Sequence, residues 1–316
     1  MAGIEIYAPR KLRHRRTWTF AAILLVLVFM VCGEVGAYFP AVATGFVEPG
    51  GGDDGWPQMA YQLGAAFGLS AILVLLWAWL FERRGPAALG LNANGPVRFL
   101  RGYLIGLAFL GGVVGIIWAA GGYVVEGAGA FGSAAVGAAL LPIGVLMLGF
   151  VIQGSTEELL FRGWLMQLIA SRHGLWIAVI ANSVLFALAH AGNIEPSNEL
   201  YVGLVNIVLF GLFISLYAVR EGSLWGVCGW HAAWNWLLGL GFGLEVSGQV
   251  IEATPLVTDL TGAPGAAWWL TGASFGPEAS LVTSAVLLIG TVVLMVRGRT
   301  RDHGVEAAPD AAADVA

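Results

Sequence analysis

Charge is the scarcest feature of this sequence. Only 11% of its 316 residues are Asp, Glu, Lys or Arg and 58% are hydrophobic, whereas soluble domains carry about 25% charged residues. A chain of this composition cannot cover itself with a water-facing surface. It also lacks a polar linker that would divide this length into about two soluble domains. Cysteine is nearly absent: Cys32 and Cys228 each sit inside an apolar run, which argues against a disulfide framework, and there is no CxxC metal pair. No HExxH occurs, which weakens a metalloprotease reading, and nothing points to nucleic-acid binding. The net charge of −5 says little about partners, because the two signs are segregated along the chain.

Apolar runs are what the sequence has in abundance. They cover roughly 17–39, 59–81, 102–121, 134–170, 175–191, 200–219, 224–243 and 279–296, and several reach the ~20 residues that cross a bilayer. The pattern predicts an all-α polytopic membrane bundle of about eight transmembrane helices. Residues 1–16 form a basic cytoplasmic tail, and 17–121 hold the first three helices. A helical core spans 134–243, an outer loop 244–278 and the last helix 279–297. The Ala-, Asp- and Pro-rich tail 302–316 is expected to be disordered. The first run is long, lacks a small-x-small cleavage site and precedes further runs, so it is read as a retained helix.

Placing the N- and C-termini inside puts every Lys and Arg except Arg162 in the tail or the inner segments. Glu48, Asp53, Asp54, Glu126, Glu195, Glu199, Glu245, Glu252, Asp259 and Glu278 then fall outside, as the positive-inside rule requires. The fourth run, at ~1.5 Å per residue, would be ~55 Å long, too much for a ~30 Å hydrocarbon core. It must tilt and project, or break near Gly154-Ser155 into a half-helix capped by Ser155 or Thr156, with its glutamates at the positive dipole end. Gly111, Gly112, Gly115, Gly239, Gly241 and Gly243 are read as helix-packing positions. Trp268 and Trp269 are read as an interfacial segment.

Within the fourth run stands Thr156-Glu157-Glu158-Leu159-Leu160-Phe161-Arg162. Carboxylates are costly in a membrane and usually face a cavity. Glu158 and Arg162 are four apart and share a helix face, so the arginine can orient that carboxylate, while Glu157 points about 100° away. Counted from the inner ends, Glu157, His190 and Asn235 each lie ~22 Å deep and His231 ~16 Å. One layer therefore holds polar groups from three helices. Phe186 is four before His190, and His231 is four before Asn235. A carboxylate here can accept a proton from water, and imidazole and amide donors can hold an oxyanion. Zinc held by Glu157, His190 and His231 would be an alternative route to an activated water.

These residues resemble the CAAX prenyl protease and bacteriocin-processing (CPBP, or Abi) family of intramembrane endopeptidases. Its Glu-Glu-x-x-x-Arg, Phe-x-x-x-His and His-x-x-x-Asn/Asp motifs correspond to Glu157-Glu158 with Arg162, Phe186 with His190, and His231 with Asn235. Phe161-Arg162-Gly163 and Gly222-Ser223-Leu224-Trp225 fit the surroundings, and the likeness covers about residues 135–243. The resemblance implies hydrolysis of a peptide bond in a membrane-embedded or lipidated peptide. Glu157 would activate water, His190 would help position it, His231 and Asn235 would hold the oxyanion, and Glu158 with Arg162 would support them. The bland counterparts are an ion pair locking helices, a satisfied buried histidine and a helix-to-helix hydrogen bond. A transporter would show an internal repeat, and none is found. A catalytically silent scaffold or immunity protein keeps the same residues. The expected location is the cytoplasmic membrane of a bacterium.

Overall fold

A computed structural model describes residues 3–50 and 55–298. Asp53, Asp54, Arg299, Arg301 and the tail 302–316 lie outside the described residues. Each of the eight apolar runs contains a helix. These are α1 (Thr19–Ala43), α2 (Trp56–Leu80), α3 (Gly95–Ala119), α4 (Val136–His173), α5 (Leu175–Leu188), α6 (Asn198–Glu221), α7 (Trp225–Trp236) and α8 (Leu281–Gly298). Five of them, α1 to α4 and α6, are long and apolar enough to cross a membrane, whereas α5 and α8 are shorter apolar helices. Large apolar side chains such as Leu24, Leu27, Val31, Ile289 and Val293 face outward. An apolar exterior of this kind suits lipid rather than water.

Small residues decide where helices come closest. A Cβ on Gly102 of α3 would collide with the Gly226 carbonyl of α7, and one on Gly229 with the Phe99 carbonyl. Backbone thus lies against backbone along α3 and α7, as small-residue stripes allow in membranes. The packing expected of Gly111, Gly112 and Gly115 is not found, because nothing lies within 4 Å of a Cβ built on any of them. Gly239 does pack, against Ile251 and Val246.

The fourth run resolves differently from a broken helix. α4 passes unbroken through Gly154 and Ser155 for 38 residues. A Cβ on Gly154 would stand 3.1 Å from the Ala232 nitrogen and 3.3 Å from the His231 Cβ. The glycine serves close approach to α7; of the two alternatives the helix is the long unbroken one, and the half-helix with its cap and dipole is not formed. The irregularity comes one turn later. Leu159–Leu165 is π-helical, and the Met166 N–H reaches back to the Phe161 carbonyl. Such bulges widen a helix by one residue and recur at functional sites. α7 ends in a second one, Leu237–Gly241.

Two features add to the all-helical expectation. The segments after α3 and α7 pair as a small antiparallel sheet, β1 (Tyr123–Gly127) with β2 (Asp259–Gly262). Trp268–Thr271 forms one helical turn, with Trp269 exposed. The basic N-terminal segment is docked rather than trailing. Ile4 N–H bonds the Ala170 carbonyl, Arg84 bonds Glu5 at 3.0 Å and the Ala8 carbonyl at 2.8 Å, and Glu82 receives Thr17. The Tyr7 hydroxyl donates to the Arg162 carbonyl at 3.2 Å, in the widened turn of α4.

Candidate active site

Glu157 and Glu158 are neighbours in sequence with different surroundings. Glu158 is wholly buried, and its Oε1 accepts from Arg162 Nη1 at 3.2 Å and from His231 Nδ1 at 2.8 Å. Bridging an arginine and an imidazole compensates part of the buried charge, while Glu158 Oε2 and Arg162 Nε and Nη2 are buried without a hydrogen-bond partner. Arg162, also wholly buried, lies with its Cζ 4.3 Å from the centre of the Phe186 ring and 5.6 Å from that of Phe210. Cation–π contact supplies part of the compensation that water cannot.

Glu157 turns the other way, as its 100° offset from Glu158 requires. It lines a cavity of about 400 Å³ that neither Glu158 nor Arg162 reaches. Its Oε2 is buried without a hydrogen-bond partner and stands 3.6 Å from His231 Nε2. An unpaired buried carboxylate oxygen is expensive unless something in the cavity satisfies it.

The other sequence-predicted residues reach the same cavity: His190, His231 and Asn235 all line it. His190 lies in the turn just past α5, and its Nδ1 bonds the Phe186 carbonyl at 2.9 Å. A carbonyl only accepts, so Nδ1 carries the proton and neutral His190 keeps a lone pair on Nε2. Phe186 forms the floor, with its ring 4.8 Å from His190 and 6.2 Å from His231, centre to centre.

Sequence reasoning missed three residues here. Gln153 lines the cavity and accepts from Asn235 Nδ2 at 3.0 Å. It sits one turn before Glu157 on the same face, so helical spacing alone could have found it. Phe210 of α6 meets His231 edge-on, ring centres 5.1 Å apart, and nothing in an apolar helix marks it out. Glu278 accepts from Trp234 Nε1 at 3.0 Å and from the Ser247 hydroxyl at 2.8 Å, tying the long loop to α7. It lies too far along the chain from the motifs to have been linked to them.

The zinc alternative fares poorly on geometry. Among the described residues, no three of His, Cys, Asp and Glu converge as metal ligands. Glu157, His190 and His231 share the cavity without forming a closed ligand set, so no step is routed through a metal. Cys32 and Cys228 are both free.

Residues 139–237 match a family model described as Type II CAAX prenyl endopeptidase Rce1-like. The core is Rce1-like. That stretch contains Gln153, Glu157, Glu158, Arg162, Phe186, His190, Phe210, His231 and Asn235, whereas Glu278 and the docked N-terminal segment lie outside it. The Rce1-like match is to a protease family, and the five long apolar helices point to an integral membrane protein. The uncharacterized protein YyaK of Bacillus subtilis (strain 168) is 34% identical over 89 residues. That stretch is 28% of this chain and 29% of YyaK, so the likeness spans under a third of either protein. No solved structure matches.

Proposed function

We propose that this protein is an intramembrane endopeptidase that hydrolyses a peptide bond of a membrane-embedded or lipidated peptide with water activated by Glu157. The observation that carries the reading is that Glu157, with its Oε2 buried and unpartnered, lines the cavity, whereas Glu158, bonded to Arg162 and His231, does not. Glu157 takes a proton from the water as it attacks the scissile carbonyl carbon, then returns that proton to the leaving amine as the C–N bond breaks. The His190 Nε2 lone pair accepts from the same water and orients it. Asn235 has one N–H engaged by Gln153, and its second N–H, with His231 Nε2–H when the ring is protonated, meets the developing oxyanion. Glu158 and Arg162 hold His231 and do not touch substrate.

The bundle is further proposed to cross the membrane eight times with both termini inside. The support is that Lys11, Arg13, Arg83, Arg98, Arg172 and Arg220 gather at one set of helix ends, and Glu48, Glu126, Glu195, Glu245 and Glu252 at the other. Bacterial membranes containing the parent protein or Glu157→Ala at equal levels would be compared for their peptides. Cleavage products confined to the parent are expected. Identical peptide profiles from two folded proteins would leave a silent scaffold. Retained turnover after chelation is expected, and zinc-dependent turnover would overturn the metal-free chemistry.

A further inference from the structure

The cavity occupies one end of the bundle. Its lining comes from Met30 and Glu34 on α1, Leu63 and Phe67 on α2, and corresponding stretches of α4 to α8. Measured along each helix, these residues stay away from the arginine-bearing ends. Met30 is 11 residues from the start of α1, Phe67 is 13 from the end of α2, and Phe161 is 12 from the end of α4. Phe186, Phe210 and Leu287 are each 11 from the corresponding ends of α5, α6 and α8. Eleven helical residues span about 16 Å. Only on α7 does the lining come nearer, with His231, Trp234 and Asn235 six, nine and ten residues from its start.

Towards the arginine-bearing end the space below the cavity is filled. Trp164, Leu165, Met166, Leu168, Leu224 and Val227 are all at most 1% exposed. The docked N-terminal segment closes that end, with Tyr7 bonded to the Arg162 carbonyl and to Gln167. At the opposite end the lining reaches the surface through Glu34, Ala189 and Gln249, which are exposed. The rest of that rim comes from Asn193, Ser247 and Glu278 of the connecting loops.

The positive-inside rule puts the arginine-bearing ends in the cytoplasm. We infer that the cavity opens on the non-cytoplasmic face of the membrane, so that the peptides that reach Glu157 are presented from the outer leaflet or the space beyond it. That peptides reach Glu157 rests on the endopeptidase reading, but the direction of the opening does not.

The test labels single cysteines in the full-length protein with a membrane-impermeant sulfonated maleimide, in a Cys32→Ala, Cys228→Ala background. Gln249→Cys reports the cavity rim. Ala87→Cys, exposed between α2 and α3, reports the arginine-bearing end. In intact cells, Gln249→Cys is expected to label at least tenfold faster than Ala87→Cys, and permeabilisation should bring Ala87→Cys up to match. The reverse pattern would overturn the inference, whatever the enzyme's activity. A second arm uses sealed right-side-out vesicles carrying a synthetic copy of a peptide found to be cleaved in membranes. Peptide added outside should be cut and peptide trapped inside should not. Cutting only from the inside would overturn the inference and leave the endopeptidase reading intact.

Discussion

The two ends of the bundle are built from the same helices and differ in what lies between them. At the arginine-bearing end, α4 and α7 are packed solid around Trp164, Leu224 and Val227, and the N-terminal segment closes over them. At the other end they part around a cavity of about 400 Å³. Glu157 and Glu158 straddle that boundary. Successive residues on a helix diverge by about 100°, so one carboxylate is delivered to the packed side and its neighbour to the hollow side. The lesson is that a doubled glutamate can divide its labour. Glu158 is held through Oε1 by Arg162 and His231 on the packed side, whereas Glu157 lines the cavity; each keeps one buried oxygen without a hydrogen-bond partner.

The sharpest way to break this comparison is to damage the packed side. Glu158→Ala leaves Arg162 buried without its carboxylate, which typically costs about 3–5 kcal/mol. The unfolding midpoint in detergent should fall steeply, and a midpoint equal to the parent's would mean Glu158 does not hold the structure. Gly102→Val comes next. The new side chain meets the Gly226 carbonyl, and overpacking of this kind typically costs about 1–3 kcal/mol. Its effect should appear as a lower midpoint with turnover per folded molecule unchanged.

On the hollow side the effects are smaller in stability and larger in rate. Asn235→Ala removes a proposed oxyanion donor and frees Gln153. Turnover should fall by about one to three orders of magnitude, with KM little changed. A rise in KM at constant kcat would make Asn235 a ground-state contact instead.

The smallest effect concerns the sheet that caps this end. Burial, reinforced by the charge of Glu126, holds the Asp259 carboxyl above its ordinary range. An acid whose folded-state value is raised lends stability that is complete below its unfolded value and lost as pH rises through the folded one. Asp259→Asn should therefore unfold at a slightly higher temperature than the parent at pH 7, and the gap should close as pH falls below the carboxylate range. A gap that widens on acidification would contradict this.

Much of the site could be read from spacing. The four-residue repeats Glu158 to Arg162 and His231 to Asn235, counted from the arginine-rich ends, bring their groups to one layer, and the structure joins Glu158, Arg162 and His231 by hydrogen bonds. Gln153 was within reach of the same arithmetic. What stayed hidden depends on contacts between distant segments. A Cβ clash at Gly154 with α7, rather than helix-breaking, explains that glycine. The π-helical turn 159–165, whose Arg162 carbonyl accepts from Tyr7, has no signature in the sequence of α4. Phe210 and Glu278 join the site only because α6 and the long loop fold back over it.

The central claim is that Glu157 does chemistry and little else, and Glu157→Gln tests it most directly. The substitution keeps the shape of the side chain and removes its ability to take a proton. Unfolding midpoint and single-turnover cleavage would be measured on the same purified sample. The account predicts a midpoint at or slightly above the parent's, with cleavage slowed by about 10²–10⁴-fold. Cleavage at the parent's rate from a folded Glu157→Gln protein would contradict it.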